Sequence, residues 1–395
     1  MNLPRGPAQG MVLFAYGFRP FFLWGSLWSV GAMVAWLTML EGHGHATIWL
    51  SPTVWHAHEM LFGFVTASAA GFLLTASPNW SRKPALSGRP LQALFCCWLL
   101  GRLAVATAVW LPAWLVAAAD LPFLVLLAGT SGATLWHTGN RAHRVFPVLL
   151  ALMAIGNALV HGEAVGLWVE TARMGLYLGI DAILFFLVMV GGHIMPMFTR
   201  NALLQTEPLP PFKSVPLLEI AGVVTMTGVV LADLFALGQP MAGPFLLAAS
   251  LVQGLRMSHW HSLKSLGLPL LWVLHGGYAW LVAGLLLRGV AQMTDILSVS
   301  AALHMLTVGA MGLFILGIMS RVSLAHTGRA LVASPTMATA YMLVILAVPI
   351  RVFGVDLWPI WSLRLAGGLW VVAFCLFLAE FGPVLLRPRP DGQLG

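Results

Sequence analysis

Apolar residues fill this chain in long runs, and short breaks rich in Pro, Gly or basic residues separate them. Runs of about 20 apolar residues match the thickness of a bilayer when wound as helices. Twelve such segments are predicted, at 21–40, 55–76, 91–110, 113–135, 145–161, 173–198, 215–236, 240–257, 269–288, 298–319, 333–351 and 363–386. Pro52, Pro78, Pro84, Pro112, Pro147, the LPPF turn at Pro210 and Pro211, Gly238 and Pro269 punctuate the connections. The pattern predicts an all-α polytopic membrane protein, a single integral-membrane helical domain over 1–395, with no loop large enough to house a soluble domain.

Composition agrees. Charged residues make up 8% of the chain and hydrophobic ones 59%, whereas soluble domains carry roughly 25% charged residues. The net charge of +7 would in a soluble protein suggest nucleic acid, but here the basic residues sit in short loops. Alternating the twelve segments across the membrane puts fifteen of the twenty Lys and Arg residues on the side of the termini. Four, Arg173, Arg288, Arg351 and Arg364, fall at the opposite ends, and Arg102 lies within a span. That bias places both termini in the cytoplasm. The first apolar run is long and is followed by HGH, so no cleavable signal peptide is expected. Cys96, Cys97 and Cys375 lie inside apolar runs without CxxC spacing, which argues against a disulfide framework or a thiolate metal site.

Orientation fixes depth. The stretch WHAHE opens the second span near the outer face with His56, His58 and Glu59. The fifth span ends there at Asn157-x-x-x-His161, and the tenth carries His304 in its first turns. Imidazoles drawn from separate helices are suited to iron, copper or zinc, and ionisable groups in membrane helices point to function. His56, His58 and His304 are the leading metal candidates. His56 and His58 lie about 200° apart on a regular helix, so one ion cannot take both. Adjacent positions also point apart, so Glu59 is expected to serve a histidine on another span or to transfer protons. His43 and His45 in the first outer loop are read as solvated, and His259 and His261 as flanking an interfacial Trp260. Met195, Met197, Met305 and Met311 are read as packing.

Arg102 needs a partner, for which Asp120 and Asp181 are the candidates; Asp181 could alternatively share a proton path with Glu59. On the cytoplasmic side His193, His275 and His326 form a second candidate group. Small residues at Gly63, Ala67 and Gly71, and at Gly175 and Gly179, recur at the spacing that lets helix backbones approach. No convincing internal repeat is evident.

Taken in order, FRPFFL (18–23), WHAHEMLFGF (55–64), GFLLTASPNW (71–80), GGHIMPMFTRN (191–201), LHGGYAWL (274–281), HMLTVGAMG and MSRVSLAHTGR (within 304–329) resemble the NnrS family. That family comprises twelve-helix bacterial inner-membrane proteins of the nitric-oxide response, described as containing haem and copper. The resemblance implies that some of His56, His58, His161, His275, His304 and His326 ligate b-type haem or copper, without saying which serves which. His193 departs from the pattern, in which Arg usually follows the paired glycines. The implied partners are the lipid bilayer and a small diatomic ligand such as NO, with no nucleic acid; no motif indicates the electron donor. An enzyme of this kind would be an oxidoreductase acting on NO or a related nitrogen oxide, although turnover does not follow from the sequence. The haem-copper oxidase superfamily is disfavoured because no HH pair occurs and the only embedded H-x-H opens the second span. A transporter or cofactor-assembly protein for haem, copper or a small solute is the alternative.

Overall fold

A computed structural model describes residues 9–43, 50–203, 215–235, 238–294 and 296–393. Among these the chain is all helix, with no strand. The helices are α1 (Phe18–Leu40), α2 (Pro52–Ser81), α3 (Arg89–Ala106), α4 (Ala113–Leu135), α5 (Val145–Val165), α6 (Ala172–Leu203), α7 (Pro216–Leu234), α8 (Gly238–Ser258), α9 (Pro269–Met293), α10 (Val299–His326), α11 (Pro335–Leu357) and α12 (Pro359–Leu386). All twelve predicted segments fall on helices. Ten are long and apolar enough to cross a membrane; α3 and α8 are not among the ten. The α3 segment carries Arg89, Gln92 and Arg102, which lower its apolarity. His45 and the LPPF turn lie outside the described residues.

Helix starts follow local chemistry. Pro occupies the first turn of α2, α3, α7, α9 and α11, where its missing N–H costs nothing. The hydroxyls of Ser51, Ser298 and Ser334 accept hydrogen bonds from Val54, Ala301 and Met337 N–H groups, capping α2, α10 and α11. Two of the expected breaks do not break the chain. Pro78 lies inside α2, four residues before its left-handed cap at Arg82, and Pro147 sits in the first turn of α5.

Two helices are wound differently along part of their length. In α2, Glu59–Val65 is π-helical, and in α10, Met305–Gly312 is π-helical. Each stretch follows directly on a histidine, His58 in one and His304 in the other. In a wider turn, carbonyls lose their ordinary α partners, and side chains supply replacements. The Thr66 amide donates to Leu61 O, five residues back. The Thr66 hydroxyl donates to Phe62 O, the Ser68 hydroxyl to Phe64 O at 3.1 Å, and Trp98 Nε1–H to Gly63 O at 3.0 Å.

The chain divides into two compact units. The first comprises Met1–Gly179, Ile318–Leu331 and Phe374–Gly395. In it Phe21 and Phe22 of α1 lie against Gly71 of α2, and Gly156 of α5 meets Gly175 of α6 backbone to backbone, as the small-residue spacing suggests. Arg19, fully buried at the start of α1, donates from Nη1 to the carbonyls of Val384, Leu385 and Arg387 at the end of α12.

The second unit comprises Ile180–Gly317 and Val332–Ala373. Its α10–α11 contact is built from Ala301, Met305, Val348 and Val352, with Trp280 packed against it. Trp260 is buried edge-on against Tyr278 at 4.6 Å, so it is not the interfacial residue expected. Glu219, half exposed, binds Arg256 at 2.6 Å. That buried guanidinium also bonds Gln253 and Tyr278.

Candidate metal centre

The first unit buries an unusual density of ionisable groups. Capping by Ser51 and Pro52 sets the start of α2, and one and a half turns later the helix delivers His58 and Glu59 at the junction with its π-helical stretch. Both side chains are fully buried. From α3 comes Arg102, from α4 Asp120, from α5 Asn157 and His161, and from α1 Trp28. Asn157 and His161 are one turn apart and so share a face of α5.

Arg102 is the hub. Its Nη1 donates to both Glu59 oxygens at 2.7 Å, and its Nη2 donates to Asp120 Oδ1. Trp28 Nε1–H completes the Glu59 shell, reaching Oε2 at 2.8 Å. Close approach needs an absent side chain at Gly63, where a Cβ would lie 2.8 Å from Trp28 Nε1 and 3.0 Å from Arg102 Nη1. A second glycine, Gly101, makes room for Asp120 itself.

The histidines converge on the other Asp120 oxygen. His161 Nε2 is 2.9 Å from Oδ2, and His58 Nε2 is 3.4 Å from the same atom. Asn157 Nδ2 donates to that oxygen at 2.9 Å, which turns its own Oδ1 toward His58 Nε2 at 2.8 Å. The other His58 nitrogen, Nδ1, meets Glu59 Oε1 at 2.7 Å. Both His58 nitrogens therefore face acceptors, and both must carry hydrogen in this arrangement. With His58 an imidazolium, two cations balance two carboxylates, which is what a group excluded from water requires.

One donor atom each from His58, Asp120 and His161 lie within 4.8 Å of one another, the spacing of a metal-binding trio. His161 Nδ1 is buried with no hydrogen-bond partner, so its ring is oriented by Nε2 alone. Two imidazoles and a carboxylate form a nitrogen–oxygen set of the kind taken by copper or zinc. A porphyrin does not fit here, because its disc would occupy the space in which Asp120 and Asn157 make their bonds.

Of the residues singled out in the sequence, the structure brings together His58, His161, Glu59, Arg102 and Asp120. The expected separation of Glu59 from His58 is wrong: the Glu59 side chain is long enough to curl back to its neighbour, and Arg102 holds it there. His56 faces away, stacked on Trp36 at 4.6 Å. His304 lies in the second unit, with Nδ1 2.7 Å from the Ser300 carbonyl one turn back. His275 is buried, with Nε2 2.9 Å from Thr199 Oγ1. His193 is exposed, and His326 lies against the rings of Tyr16 and Phe18. Asp181 does not neutralise Arg102; its partner is Arg288 at 2.5 Å. Sequence reasoning missed Arg288 as a buried group, having placed it at the end of a span, and it missed Trp28 altogether.

No individually curated protein matches the chain. A family model described as NnrS protein matches residues 12–389, nearly its whole length and including every residue of the buried cluster. The chain therefore belongs to the NnrS family.

Proposed function

We propose that this protein is a bacterial inner-membrane component of the nitric-oxide response that holds copper at His58, His161 and Asp120. The observation that carries the reading is the convergence of two imidazoles on one buried carboxylate oxygen. The choice of copper over zinc and the link to NO rest on the description of the NnrS family as haem- and copper-containing proteins of the nitric-oxide response. Copper, when bound, supplies a redox-active ion to which NO binds directly. NO is small and apolar and partitions into lipid, so a site reached through the bilayer suits it better than one opening on a polar cleft.

The protein's own residues bind and orient. To take copper, His58 and His161 would each give up the hydrogen on Nε2 to water and present that nitrogen, and Asp120 would present a carboxylate already bound to Arg102. Asn157 orients Asp120 by donating to Oδ2, while Glu59 accepts from the far nitrogen of His58, fixes its ring and is the group placed to pass a proton to or from it. The haem of the family is assigned to histidines outside this cluster, with His56, His275, His304 and His326 the remaining candidates.

Metal analysis and optical spectra of the detergent-purified full chain, with and without dithionite and NO, test the reading. Wild-type protein should carry stoichiometric copper, and His58→Ala and His161→Ala should each lose it while keeping their helix content by circular dichroism. Asn157→Leu should retain copper with about 10–100-fold weaker affinity, as expected for a residue that orients a ligand. Glu59→Gln should keep the metal. Full copper retention in both histidine variants would remove these residues as ligands.

A further inference from the structure

The second unit contains its own buried guanidinium. Arg288 of α9 is fully buried, donating from Nη1 to Asp181 Oδ1 of α6 at 2.5 Å and from Nη2 to Asp233 Oδ2 of α7. Asp181 is also fully buried. One positive charge here meets two carboxyls, and an uncompensated charge in an apolar interior is costly enough that the group neutralises instead.

Among the described residues, no second cation bonds either carboxyl. The one ionisable residue of α8 is Arg256, near its far end, where it binds Glu219. Opposite the end of α9, α8 presents Gly243 and Leu247. On α10 the ionisable residue at this end is His304, 2.7 Å from the Ser300 carbonyl. On α11 the corresponding group is Arg351, which donates to Ser300 Oγ. A second, independent observation points the same way: Asp181 Oδ2 is buried and meets no hydrogen-bond donor. Its carboxyl and that of Asp233 are held by the two nitrogens, Nη1 and Nη2, of one guanidinium. Two carboxyls on one buried guanidinium carry one negative charge too many unless one of them holds a hydrogen.

We infer that Asp181, with Asp233 on the same guanidinium, forms a proton-binding site, one proton being held on Asp181 Oδ2. Binding converts a carboxylate and a proton to a carboxylic acid, and takes the pair with Arg288 from a net charge of −1 to zero. A metal cation is the poorer occupant, since hard cations take about six to eight oxygen ligands and one oxygen of each carboxyl is already bound to Arg288. The site shares no residue with the copper cluster, so it stands or falls separately from that reading. Acid groups of this type inside membrane helices are the material of proton relays.

Infrared spectroscopy of the detergent-purified full chain at neutral pH tests the inference. Wild-type protein should show the C=O stretch of a buried carboxylic acid, and that band should shift when aspartate side-chain carboxyls are 13C-labelled. Asp181→Asn, which replaces a neutral acid by a neutral amide of the same shape, should remove the band and keep the thermal midpoint of wild type. Labelling keeps the test independent of whether any variant folds. Absence of a label-sensitive acid band in wild-type protein would overturn the inference. So would its persistence in folded Asp181→Asn, or stabilisation by sodium over choline, which would make the occupant a metal ion.

Discussion

Arg102 holds two carboxylates from two other helices, and the consequence of losing it is asymmetric. Arg102→Met leaves Glu59 and Asp120 buried with a single imidazolium between them, which should cost about 3–5 kcal/mol. Arg102→Lys should recover only part of this, because an ammonium lacks the two-pronged reach of a guanidinium. Adding Glu59→Gln to Arg102→Met removes the surplus negative charge and should restore much of the stability. Denaturant titration of the three variants in detergent measures the order, and equal stability of Arg102→Met and wild type would show that the network is not structural. At this scale the sequence was partly legible. Depth inferred from loop charge brought His58 and His161 to one level, and the i, i+4 spacing put Asn157 beside His161. What depth does not give is which helices are neighbours, so His304 was grouped with them on equal terms. Glu59 was misread because a rigid period of about 100° per residue describes Cβ directions and not the ends of long side chains.

At the scale of the element, the π-helical turn of α2 is where packing and chemistry meet. Gly63 lies within it, its carbonyl taken by Trp98 and its missing side chain replaced by Trp28 and Arg102. Gly63→Ala should push both donors away from Glu59 and cost about 1–3 kcal/mol, typical of overpacking a dense interior. Circular dichroism melts check the cost, and weakened copper retention in the same variant checks the displacement; an unchanged melt would show that the turn can give way. Nothing in the periodicity of WHAHEMLFGF distinguishes a π turn from an α turn, since both place apolar residues all round a buried helix. Arg288 had a fainter signal. An arginine inside LLLRGVAQM, with two acids in other spans that lacked partners, allowed a buried ion pair to be inferred. The assumed span boundary at 288 hid it, whereas α9 continues to Met293.

Across the whole molecule, each unit contains one guanidinium that bridges acids from two other helices, and one helix in which a histidine precedes a π-helical stretch. The sequence halves show no matching motif, because the correspondence lies in charge arrangement and not in residue order. The all-helical fold was legible from apolar runs alone, and ten of the twelve segments fall on helices long and apolar enough to cross a membrane. Orientation rests on the loop charges, and it makes a separate prediction. In a chain with Cys96, Cys97 and Cys375 changed to Ser, a cysteine placed at Gly392 should be shielded from a membrane-impermeant thiol reagent in intact cells. One at Gly42 should react. Reaction at Gly392 and protection at Gly42 would invert the topology.

The bonds of Arg19 set a timetable for biogenesis. The acceptor at Leu385 lies 366 residues downstream, so at about 5–20 residues per second it leaves the ribosome about 20–70 s after its donor. The first unit is written in three separated pieces of the chain and cannot be finished in order of synthesis. Its opening helix must enter the membrane and wait, and the cell's insertion machinery inherits the task of keeping a charged first helix from settling elsewhere until the last one arrives.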